Sequence, residues 1–115
     1  MTQAYDREKL VELFGDDPHT LGEVEREFLD TARGAEREIL GTDDLAAIAR
    51  VAHRLKGASG MIGAAALCRM ADALERAAKA GDLPGVRRLH GVFGQEVQRV
   101  AEQVVTAADA QPALS

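Results

Sequence analysis

Tryptophan is absent from this 115-residue chain, and cysteine occurs once. The lone Cys68 excludes an internal disulfide framework and fits a reducing compartment. With aromatics at 3%, packing falls to Leu, Val, Ile and Ala, a palette rich in strong helix formers and poor in β-branched residues. No apolar run approaches the ~20 residues that a membrane-spanning helix needs, and no secretory leader is visible at Met1. The cytoplasm is therefore the expected compartment, with no membrane partner. Positive charge is not in excess either: 14 Lys and Arg stand against 19 Asp and Glu, a net charge of -5. Nucleic acid is not an expected partner, because phosphate contacts need clustered cations.

What is present is an ordinary soluble balance, 46% apolar and 29% charged, in a chain of a size that forms one domain around one core. A single domain over residues 1–115 is expected. A short helix from about Asp6 to Phe14 puts Leu10, Leu13 and Phe14 on one side, and Gly15 ends it. Asp17-Pro18 then reads as an N-cap followed by proline at the first helical position. The second helix carries Leu21, Val24, Phe28, Ala32, Ala35 and Ile39 at steps of three and four, and stops at Gly41. Thr42, Asp43 and Asp44 open a third helix with Leu45, Ile48, Ala52 and Leu55 inward and Ile62 as a further candidate. A glycine-rich break, Gly57 to Gly63, separates it from a fourth helix with Leu67, Met70, Ala71, Leu74 and Ala78. Gly81-Asp82 stops that one, and Val86, Leu89, Phe93, Val97, Val100 and Val104 mark the last. The tail from Ala108 is expected to fray. No strand-like alternation occurs. The expected fold is all-α: an antiparallel up-and-down four-helix bundle with a short additional N-terminal helix covering one end.

One histidine stands apart. At 100° per residue, His53 points roughly 120° away from the core direction of the third helix. Its neighbours at i-4, i+4 and i+7 are Ala49, Gly57 and Gly60, all tiny, so the imidazole stands in a shallow clearing. Arg50 at i-3 and Lys56 at i+3 can both reach an anion attached to the ring. Neutral imidazole is a good nucleophile near neutral pH, and a glycine one turn away costs about 1 kcal/mol of helix propensity unless it admits something. A solvated surface histidine with Gly57 and Gly60 as helix ends explains the same spacing. The spacing alone leaves both readings open.

The segment Ala52-His53-Arg54-Leu55-Lys56-Gly57-Ala58-Ser59-Gly60-Met61-Ile62-Gly63-Ala64 closely resembles the signature of histidine phosphotransfer (HPt) domains. That signature is a His followed by Lys at +3, Gly at +4, a small residue or Ser at +6 and Gly at +10, and all five positions match. The similarity continues through Leu67, Met70, Leu74 and Glu75 into Ala80-Gly81-Asp82, and upstream through Leu13-Phe14-Gly15-Asp16 and Phe28-Leu29. The resemblance implies that His53 is the phosphorylated nucleophile of a phosphorelay. It implies that Lys56 stabilises the phosphoryl group, that Gly57 gives a partner access, and that Ser59 hydrogen-bonds near the site. Ala49, Arg50 and Gly60 complete the expected partner-binding surface. Glu75 stands where some members have Gln to orient the imidazole, and a carboxylate can accept from the inner ring nitrogen equally well. The implied partners are receiver domains of response regulators or of a hybrid sensor histidine kinase. Such a partner brings Mg²⁺ and most of the catalysis, so the chain needs no metal or cofactor of its own.

Rival readings are weaker. No nucleotide-binding segment supports an autonomous kinase, and no nucleophile elbow accompanies Ser59. The histidines have no i, i+4 partners among themselves for zinc. His19 is expected in solvent and His90 at the core edge, with Cys68 a packing residue. The remaining alternative is a non-catalytic helical adaptor that binds signalling partners without phosphotransfer.

Overall fold

The computed structural model describes residues 3–110 and forms five helices: α1 (Arg7–Phe14), α2 (Pro18–Leu40), α3 (Leu45–Met61), α4 (Ala65–Lys79) and α5 (Leu83–Ala110). No strand occurs among the described residues. The starts follow side-chain chemistry. Asp6, Asp17 and Asp44 each accept from backbone N–H groups in the first turns of α1, α2 and α3, satisfying donors that a helix start leaves open. Asp82 does the same for Gly85 at the head of α5. Gly15 and Gly81, at φ 84° and 76°, supply the left-handed turns after α1 and α4.

Helices α2 to α5 close a ring: α2 packs on α3, α3 on α4, α4 on α5 and α5 back on α2. Short connections between consecutive helices make neighbours antiparallel, so the chain is an up-and-down four-helix bundle. One continuous core fills it, with Phe28, Ile39, Ile48, Leu55, Leu67, Leu74 and Phe93 among its buried residues. The most extensive interface is that between α3 and α4. At the other side, Arg87 of α5 donates to the carbonyls of Ile39 and Thr42 at 2.9 and 2.7 Å and pairs with Asp43. It thereby satisfies carbonyls that the end of α2 leaves without helical partners.

Three sequence expectations are corrected. The glycine-rich break is much shorter than Gly57 to Gly63, because α3 continues through Gly57 and Gly60 to Met61. The buried stripe Ile48, Val51, Ala52, Leu55 and Ser59 runs on beneath those glycines, and its packing outweighs their poor propensity. The turn itself hinges on Gly63, at φ 70°, where a Cβ would stand 2.6 Å from that of Asp6. Second, Leu13 and Phe14 do not join Leu10 in the core but are exposed. Ala4 and Tyr5 are buried in the segment before α1 instead. Third, α5 continues through Ala110, beyond Ala108 where fraying was expected; the rest of that tail, residues 111–115, lies outside the described residues.

The N-terminal segment does cover one end of the bundle. Asp6 donates its backbone N–H to the Ile62 carbonyl at 3.1 Å, and Lys9 reaches the Gly60 carbonyl at 3.1 Å. Gln103 of α5 brackets the backbone of Ala4 and Tyr5. Tyr5 donates to the buried Glu25, which Arg7 also approaches. Burial and that acceptor push the Tyr5 hydroxyl far above its ordinary range.

Candidate functional site

His53 lies midway along α3 with its side chain 68% exposed. The neighbours expected to be small leave the clearing that the spacing implied. A Cβ placed at Gly57 would meet nothing within 4 Å. Gly60 is exposed and Ala49 half-buried. Beside the imidazole a depression of about 510 Å³ is lined by Ala49, Arg50, His53, Arg54, Glu75 and Lys79.

The other half of the site comes from α4. Glu75 is only 4% exposed, and its carboxylate is fully engaged. Oε1 lies 2.9 Å from Lys56 Nζ. Oε2 lies 2.9 Å from both Lys79 Nζ and His53 Nδ1. Hydrogen bonds from Lys56, then Lys79, with a smaller one from His53, hold the Glu75 carboxyl down to about 2 against the opposing effect of burial. It is therefore ionised at any physiological pH. An ionised carboxylate can only accept, so the hydrogen of the neutral ring is assigned to Nδ1. Nε2 then keeps its lone pair.

Lys56 is shared. Besides Glu75 it contacts Asp72 Oδ1 at 3.1 Å, and Asp72 Oδ2 pairs with Arg76 Nε at 3.0 Å. Hydrogen bonds to Glu75 first and Asp72 second push the Lys56 ammonium up from its ordinary value. The result is a chain of alternating charge across α3 and α4, from Arg76 through Asp72, Lys56 and Glu75 to Lys79, whose single buried member, Glu75, contacts His53.

An exposed imidazole held by a clamped carboxylate is the centre of this site. The family model described as Hpt domain matches residues 8–107, from α1 through nearly all of α5. The chain belongs to the Hpt domain family. No curated protein and no solved structure matches it. Hpt domains are histidine phosphotransfer modules of phosphorelays; they are phosphocarriers that work with receiver domains, without autonomous kinase activity.

Within this Hpt domain the structure brings His53, Lys56, Gly57 and Glu75 together, with Ala49 and Arg50 beside them. Ser59 does not join them. It is fully buried, and its Oγ has no hydrogen-bond partner among the described residues, so its side chain cannot touch a docking protein. It falls on the inner stripe of α3, two residues beyond the exposed Gly57. Sequence reasoning missed Asp72 and Lys79, although their signal was present. Asp72–Arg76 and Glu75–Lys79 are both i, i+4 pairs of opposite charge, the spacing at which helical side chains meet.

His19 is exposed and pairs with Glu23, and His90 is half-buried in α5. No helix among the described residues is long and apolar enough to cross a membrane.

Proposed function

We propose that this Hpt domain carries a phosphoryl group on Nε2 of His53 and exchanges it with the aspartates of receiver domains. The observation that supports this reading best is the 2.9 Å contact between Nδ1 and the buried, ionised Glu75. That contact favours the tautomer with its hydrogen on Nδ1 and leaves Nε2 with its lone pair on a ring that is 68% exposed. The Nε2 lone pair forms the N–P bond as the aspartyl O–P bond breaks, and the aspartate leaves as a carboxylate. No proton has to leave the ring, because Nδ1 keeps its hydrogen; the product is a phosphorylated imidazolium whose positive charge faces Glu75. On return, the ring departs as neutral imidazole, a far better leaving group than its anion. Mg²⁺ and the remaining catalysis come with the receiver.

The test is transfer from a phosphorylated receiver to the purified protein. Label is expected on one residue, in an acid-labile, alkali-stable linkage typical of nitrogen–phosphorus bonds. His53→Gln is expected to fold as the parent does, since the residue is exposed, and to take up no label. Label retained on that variant overturns the assignment, as does self-labelling of the protein by ATP alone.

A further inference from the structure

We propose that Lys79, rather than Lys56, is the cation that binds the phosphoryl group on His53, releasing Glu75 in exchange for phosphoryl oxygens each time the ring is loaded. This rests on the reading of His53 as the carrier. The resemblance assigned the role to Lys56 by its place three residues after the histidine, but the geometry separates the two lysines. Lys56 is one-third exposed and lies between two carboxylates, Glu75 and Asp72. It sits on the Oε1 side of Glu75 and does not line the depression beside His53. Lys79 does line it, and its side chain is 67% exposed.

The decisive contact is the shared oxygen. Lys79 Nζ and His53 Nδ1 both lie 2.9 Å from Glu75 Oε2, so the ammonium and the ring nitrogen can be no more than twice that distance apart. The phosphoryl group sits on Nε2, across the ring from Nδ1, so Lys79 reaches it by swinging its flexible four-carbon stem away from Oε2 through the depression that both residues line. An ammonium has three donors and no planar geometry to preserve, so it can pass from carboxylate to phosphoryl oxygen without losing a partner. Loading the ring also changes what Glu75 needs. The phosphorylated imidazolium gives Glu75 a second cation at Nδ1 while Lys56 stays on Oε1. Lys79 then becomes the cation Glu75 can best spare, just as a dianion appears beside it. Its single carboxylate partner makes it the movable member of the clamp; Lys56, with two, is the fixed one.

Two arginines compete for the same role. Arg54 lines the depression but is drawn toward Glu38 at 3.7 Å, and Arg50 lines it from the turn before His53. Both belong to α3 and approach from the histidine's own helix, whereas Lys79 already touches the hydrogen-bonding partner of the ring.

The experiment loads the protein from a phosphorylated receiver, removes the receiver, and measures phosphohistidine lifetime and the transfer equilibrium in Lys79→Ala, Lys56→Ala, Arg50→Ala and Lys79→Arg. Loss of Lys79 is expected to shift the equilibrium toward the receiver by about fivefold, the scale of one charge-assisted contact. Lys79→Arg is expected to restore most of it. Because Lys79 also holds Glu75, the comparison is repeated in a Glu75→Gln background. A direct contact keeps the Lys79 effect there, whereas action only through Glu75 abolishes it. A labelled parent whose Lys79 variants match it, or whose Lys79 effect vanishes without Glu75, overturns this inference alone. A parent that takes no label overturns the carrier reading and this inference together.

Discussion

Gly57 follows His53 by one turn of α3, and a Cβ placed on it would point into open space. The glycine is helical and has no positive φ, so nothing in the fold requires it. Gly57→Ala is expected to stabilise the protein by up to about 1 kcal/mol. Gly57→Gln is expected to melt no lower than the parent, yet to exchange phosphoryl groups at least about tenfold more slowly, since in-line transfer is sensitive to displacements near 1 Å. Thermal melts and transfer kinetics on one preparation check both halves.

Gly63, the second glycine of the signature, has the opposite character. Its φ is 70°, and a Cβ there would collide with Asp6 at 2.6 Å. Gly63→Ala is expected to lower stability on the order of 2 kcal/mol, from the left-handed backbone and the displaced N-terminal segment together. Urea unfolding measures the loss; phosphoryl transfer by the molecules that remain folded should be close to normal.

Ser59→Ala removes a hydroxyl that is buried without a partner among the described residues. Burying such a group is unfavourable, so the variant is expected to be as stable as the parent or more so, by up to about 1 kcal/mol. Transfer rates should stay within about twofold. A large loss of transfer would place the hydroxyl in the chemistry after all.

Acid stability reads the clamp on Glu75. Its carboxyl is held at about 2 in the folded protein, below the ordinary glutamate value of about 4.3. The stability it contributes is therefore complete above that ordinary value and is lost as pH falls toward 2. Lys56, Lys79 and His53 are the groups that contact this carboxylate, and Asp72 shares Lys56. Glu75→Gln is expected to flatten the fall in melting temperature between about pH 4.5 and 2, relative to the parent. Parallel curves for the two proteins would show that the clamp does not couple to folding.

These glycines and this serine show where a sequence is legible and where it is not. Periodic apolar residues marked the helices and aspartates marked the starts of α2, α3 and α5, because burial of one face and satisfaction of helix ends are local constraints. Gly57, Gly60 and Gly63 looked alike as a break, since propensity is a local quantity while the packing that carries α3 over two of them is tertiary. Ser59 and Gly57 stood together in one motif although they face opposite ways, and it is the continuation of α3 through both that turns them apart. His53 was visible from its own helix. The carboxylate clamp was harder to see: i, i+4 spacing already pairs Glu75 with Lys79 on α4, but Lys56 belongs to α3, and no spacing along the chain connects it to them.

His53 and Glu75 face each other across the α3–α4 interface, the most extensive in the bundle, whereas α1 packs sparsely, chiefly on α2. Amide exchange should divide the molecule accordingly. Hydrogens of α1 should exchange through local opening, while those around His53 and Glu75 wait for the whole bundle to unfold. The reactive nitrogen would then keep its alignment through the fluctuations of the segment that covers the end of the bundle, and a loaded ring would be no more exposed to stray hydrolysis when that segment lifts than when it is closed.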